Sequence, residues 1–96
     1  MGDNQKKRYY IWGRSSCDYC IRACEFLYSR NELYDFFDHD GDEPFLEELK
    51  GFYEHETVPL IVENDISTGL TKFVGGYDDL QKFFIRYDID KEKEND

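Results

Sequence analysis

The chain has 96 residues and a formal net charge of −10, with 40% hydrophobic and 18% aromatic residues, which suits one domain with a modest core rich in Tyr and Phe. The acidic balance argues against non-specific nucleic-acid binding, and apolar runs no longer than Leu60-Ile61-Val62 exclude a membrane-spanning helix, which needs ~20 apolar residues. No apolar run follows the first residues, so the sequence reads as cytoplasmic and without a secretory leader.

Arg8-Tyr9-Tyr10-Ile11-Trp12 is aromatic and β-branched and stops at Gly13, the pattern of a first strand. Residues 18–30 change to a helical period, with Cys20, Ala23, Cys24 and Leu27 at i, i+3, i+4, i+7 and Asn31 as the stop. Leu33–Asp38 reads as a second strand. Asp42-Glu43-Pro44 opens a second helix, Pro44 sitting in the first turn where its missing N–H costs nothing; Leu46, Leu49 and Tyr53 form its buried side. Leu60–Glu63 is a short buried strand after Pro59, and Leu70–Val74 returns as its hairpin partner. Gly75-Gly76 breaks that strand, and Leu80, Phe83, Phe84 and Tyr87 give a last amphipathic helix.

The order β-α-β-α-β-β-α predicts an α/β fold. The first β-α-β unit requires two parallel strands joined by a crossover, and the hairpin adds an antiparallel pair. The result is a four-stranded mixed sheet flanked by three helices, on both faces. Residues 1–7 read as a flexible lead, 8–87 as the domain, and 88–96 as a charged tail or an extension of the last helix. Charge is uneven: residues 1–30 hold six basic and three acidic residues, so the acidic excess lies wholly beyond them. A small acidic ligand would therefore prefer the first third.

The cysteines carry the chemistry. All three lie between Cys17 and Cys24, too clustered and odd in number for a disulfide framework, which leaves redox chemistry or metal. Cys17 falls where strand gives way to helix, beside the unpaired N–H groups of the opening turn. Those donors and the positive end of the helix dipole favour thiolate over thiol. Arg14, three residues upstream, is the natural assisting cation, and Arg22 a weaker one; Asp18 opposes them. Cys20, one turn further in, points toward the body of the domain and suits the resolving thiol. Cys24 reads as core packing, since i, i+4 partners stand ~5–6 Å apart at Cβ and a disulfide needs ~3.5–4.5 Å. Zinc is disfavoured, because three cysteines on one helix do not converge tetrahedrally and neither His39 nor His55 has finger-like spacing; both read as loop residues. Asp38-His39-Asp40-Gly41-Asp42 is not a calcium loop, since its sixth and twelfth positions would be Glu43 and Leu49.

Three motifs in order, Cys17-Asp18-Tyr19-Cys20 with Arg14 upstream, Thr57-Val58-Pro59, and Gly75-Gly76-Tyr77-Asp78-Asp79-Leu80, make the chain resemble the glutaredoxins, on the thioredoxin fold, over residues 8–85. The family usually carries a lysine upstream and proline inside its cysteine pair; here Arg14 and Asp18 stand in those places. Ser16 stands where a thioredoxin proper would carry tryptophan. The resemblance implies a glutathione-dependent thiol–disulfide oxidoreductase that acts through Cys17 and Cys20, with no metal required. It implies a cis bond before Pro59 and a glutathione groove. In that groove Thr57, Val58 and Pro59 would present backbone to the cysteinyl residue. Gly76, Tyr77, Asp78 and Asp79 would bind the γ-glutamyl end, Asp78 or Asp79 taking its ammonium. Arg14 would face the glycyl carboxylate, and Tyr19 would line the groove. Glutathione and glutathionylated or disulfide-containing proteins, with ribonucleotide reductase as one client, are the implied partners of a monomer. The alternative implied by the missing proline is a [2Fe–2S] carrier, with Cys17 of two subunits and two glutathiones as ligands.

Overall fold

The computed structural model describes residues 6–94, with side chains to residue 89. At its centre is β1 (Lys7–Gly13), in which Tyr9, Ile11 and Gly13 are buried and the alternate residues half-covered, as a pleated strand between two unequal layers requires. On one side β2 (Leu33–Asp38) runs parallel to it, Arg8 opposite Leu33 and Gly13 opposite Asp38. On the other side β3 (Leu60–Asp65) runs antiparallel, Ile11 opposite Ile61, and β4 (Thr71–Gly75) closes the sheet antiparallel to β3, with an irregularity between Ile61 and Val62. The strand order is β2-β1-β3-β4, a four-stranded mixed sheet with the thioredoxin-like arrangement.

Two helices cover one face. In α1 (Asp18–Ser29) the buried residues are Cys20, Ala23 and Leu27, and in α3 (Tyr77–Glu94) Leu80 and Phe84. Ala23, Leu27, Leu80 and Phe84 form one core with Tyr9, Ile11 and Ile61, against which Cys24, Phe36, Val74 and Phe83 pack. Each fully buried Leu or Ile contributes roughly 1.5–3 kcal/mol. The opposite face receives α2 (Glu43–Tyr53), where Leu46 is buried and Tyr53 stacks on Phe73 at 4.4 Å and 9°. Helix α1 ends as its sequence suggests: Asn31 takes a left-handed φ of 61° and the N–H of Glu32 returns to Leu27 C=O at 3.0 Å.

Several boundaries differ from the expected ones. Lys7, expected in the flexible lead, already belongs to β1, opposite Asp65. Strand β3 runs two residues past Glu63, and β4 lies at 71–75 because Leu70 is exposed in the turn. Helix α3 continues to Glu94, taking the helical course of the two expected for residues 88–96, whose last two residues, like residues 1–5, lie outside the described ones. Tyr87, expected on the buried side, is 51% exposed and meets the edge of Phe84 at 6.2 Å. Among the described residues no helix is long and apolar enough to cross a membrane.

Candidate active site at the first strand–helix turn

The chain leaves β1 at Gly13 and is held in place by the neighbouring loop after β2. Asp38 Oδ1 accepts the N–H of Ser15 at 2.9 Å and of Asp40 at 3.0 Å, and the N–H of His39 donates to Gly13 C=O at 2.8 Å. These bonds hold the Asp38 carboxyl below the usual carboxylate range, the Asp40 N–H contributing most. The turn closes with the Cys17 N–H on Arg14 C=O at 3.1 Å.

Cys17 is the N-cap of α1, in extended geometry (φ −90°, ψ 122°). Its carbonyl accepts the first helical bond from Ile21 at 3.2 Å, and its Sγ accepts the N–H of Cys20 at 3.3 Å. Sulfur thus occupies the place where an Asp or Ser oxygen normally caps a helix. Cys17 is half-buried and Cys20 fully buried, and no cysteine of the chain is in a disulfide. Burial, followed by a hydrogen bond to the Cys17 sulfur, pushes the Cys20 thiol up to about 12. Cys24 is raised too, chiefly by burial.

The cations expected beside Cys17 are not free. Arg14 makes a two-pronged ion pair with Glu43 at the start of α2, Nε donating to Oε2 at 2.7 Å and Nη2 to Oε1. That hydrogen-bonded pair raises the Arg14 pKa and lowers the Glu43 pKa. Arg22 is tied to Asp18 at 2.8 Å, one turn apart on the helix. Both cations are thus already paired with carboxylates.

Next to this turn three segments converge on a groove of about 260 Å³. Tyr19 comes from α1; Thr57, Val58 and Pro59 from the loop before β3; Gly76, Tyr77, Asp78 and Asp79 from the start of α3. The Val58–Pro59 bond is cis, and Val58 makes no backbone hydrogen bond among the described residues. Tyr19 and Tyr77 face each other at 6.0 Å. Gly76 allows a close approach, since a Cβ there would stand 3.2 Å from His55 Nε2 and 3.7 Å from Pro59 O. Asp79 turns back to cap its own helix, Oδ2 accepting the Gly76 N–H at 2.9 Å. Gly75 makes room for it: its φ is 122°, and a Cβ there would come within 2.7 Å of the Asp79 side chain.

Eight expected residues thus meet in one groove; Arg14, Cys17 and Cys20 are not among its lining residues. Arg14 is bonded to Glu43 instead, a pairing across 29 residues that no short sequence spacing reveals. His55, read from sequence as a loop residue, lines the groove with Nε2 3.5 Å from Thr57 Oγ1. Its position four residues before Pro59 was the only available signal. No group of three or more His, Cys, Asp or Glu side chains able to hold a metal occurs among the described residues.

A sequence model of the glutaredoxin family matches residues 8–66. The chain belongs to the glutaredoxins. It is thereby a thiol–disulfide oxidoreductase of the thioredoxin fold, with the two cysteines of a dithiol member. Among solved structures it is similar to the dithiolic glutaredoxin 2-C-Grx1 of Trypanosoma brucei brucei, at 25% identity and a TM-score of 0.66, over 94% of this chain and 90% of that one. It shares its fold with glutaredoxin 1 of Francisella tularensis, solved with cacodylate, at 20% identity and a TM-score of 0.60, over 84% of this chain and 95% of that one. A comparison with curated protein sequences gives no match.

Proposed function

We propose that this glutaredoxin reduces glutathione mixed disulfides, with Cys17 as nucleophile and the adjacent groove as the glutathione site. The observation that carries the reading is a half-buried sulfur capping a helix N-terminus next to a groove of three segments. The Val58 N–H and C=O are left to pair with an extended peptide such as the cysteinyl residue of glutathione. The first N–H groups of α3, at Tyr77 and Asp78, suit the γ-glutamyl carboxylate. Asp79 is engaged by Gly76, so the γ-glutamyl ammonium falls to Asp78, which is exposed and makes no ion pair among the described residues. With Arg14 engaged by Glu43, the glycyl end is left to the His55 and Thr57 side of the groove.

In the reaction, Cys17 thiolate attacks the glutathione sulfur of a mixed disulfide. A Cys17–glutathione disulfide forms, the old S–S bond breaks, and the substrate leaves as thiolate. A second glutathione thiolate attacks that adduct, which releases oxidised glutathione and restores Cys17. On a protein disulfide, for which ribonucleotide reductase is one candidate client, Cys20 instead attacks Cys17 of the mixed disulfide and frees a dithiol. Burial raises the Cys20 thiol pKa, so Cys20 must give up its proton as it attacks. The test is turnover of a glutathionylated peptide and of a protein disulfide by two variants. Cys20→Ser should keep the first activity and lose the second, and Cys17→Ser should lose both. Activity retained in Cys17→Ser would overturn the assignment.

A further inference from the structure

A second cleft, of about 490 Å³, lies between β4 and α3 and meets the first at Asp79, which lines both. Its acids are already satisfied. Glu63, 8% exposed, accepts the Tyr9 hydroxyl at 3.0 Å and pairs with Lys7 at 3.5 Å, and Asp79 caps Gly76. Three cations of the lining remain uncommitted. Lys72, Lys82 and Arg86 make no ion pair with any described residue, and the Lys72 ammonium stands 5.4 Å over the Phe83 ring. Lys82 and Arg86 are one turn apart on one face of α3 and Lys72 lies on β4, so the three charges are spread over the two walls of the cleft. Phe83 and Tyr87 supply apolar surface between them. On a chain of net charge −10, this strip is where a negative segment meets attraction.

We propose that the cleft docks an acidic segment of the protein substrate, flanking the cysteine whose glutathione occupies the groove. The inference rests on the reading of that groove as the glutathione site. The cleft selects substrates through KM, and the small mixed disulfide of cysteine and glutathione, which has no flanking segment to fill it, is indifferent to it.

The test compares a glutathionylated peptide rich in Asp and Glu with its Asn/Gln counterpart and with the small disulfide. Wild type is set beside Lys72→Glu/Lys82→Glu/Arg86→Glu and the milder Lys82→Gln/Arg86→Gln, with folding checked by circular dichroism. Wild type should prefer the acidic peptide about tenfold in kcat/KM, and about 1 M salt, where the screening length is ~3 Å, should erase the preference. The triple variant should lose or reverse it and the double variant lose part of it, with the small disulfide unchanged within about twofold. An unchanged preference in the triple variant, or none in wild type, overturns the docking site. Failure to turn over the small disulfide overturns the groove reading instead. In that event, anisotropy of the labelled peptides decides the cleft alone: acidic and neutral peptides bound alike, or displacement of the acidic peptide by pyrophosphate at low concentration in favour of a small-anion site, would overturn it.

Discussion

A glycine makes the burial of Cys20 possible. A Cβ on Gly13 would run into Cys20 Sγ and stand 3.4 Å from its Cβ. Gly13→Ala should therefore cost about 1–3 kcal/mol in denaturant unfolding, the usual range for overpacking. Adding Cys20→Ala should restore part of that loss, so the two changes will not be additive. Burial also gives the thiol a pH signature. Its pKa is raised from 9.0 to about 12 in the folded chain, so the native state retains a proton that the unfolded chain gives up. That stabilisation is complete below 9.0 and disappears as pH rises toward 12. The alkaline decline in stability should be shallower in Cys20→Ala, as melts across the alkaline range would show. At the groove, Asp78→Asn should raise KM for glutathione with little change in stability. Asp79→Ala should lower stability by about 0.5–2 kcal/mol through loss of the cap, read by denaturant titration.

The helices and strands carry their own signals, and these were legible from sequence wherever the interaction is local. Gly13, Asn31 and Pro44 mark boundaries because each restricts or frees the backbone at its own position, and the seven elements follow in the expected order. Leu70 reads as strand from sequence because an exposed Leu in a turn has the same hydropathy as one in a strand. Tyr87 continued the apolar period, but α3 outruns the core there and leaves the ring half in water. The groove residues were legible as motifs. Three things were not: the diversion of Arg14 to Glu43, the inward turn of Asp79, and the entry of His55. Each depends on where distant segments meet, which no short spacing encodes. One local feature invites improvement. Helix α2 ends at Glu54 with a left-handed φ of 54°, where an L side chain costs ~1–2 kcal/mol. Glu54→Gly should raise stability by about 0.5–1 kcal/mol, allowing for the looser unfolded chain, with a matching rise in Tm.

Across the whole molecule, acids hold the connections together. Asp38, Glu43 and Asp65 each accept hydrogen bonds that depress their pKa values in the folded chain, so their stabilisation is present above the ordinary carboxylate pKa and is lost as pH falls through the depressed values. Acid should therefore loosen the Asp38 and Glu43 links on either side of the Cys17 turn, which faster hydrogen exchange at Ser15 and Asp40 would register. The only tryptophan offers a separate readout. Trp12 stacks on Phe37 at 5.2 Å, opposite Leu60 of β3, and by strand alternation its indole lies on the face away from Ile11 and α1. Its emission will consequently follow the integrity of the sheet and stay nearly blind to whether the two thiols are joined, so intrinsic fluorescence can compare the unfolding of oxidised and reduced protein without a probe that itself changes with redox state.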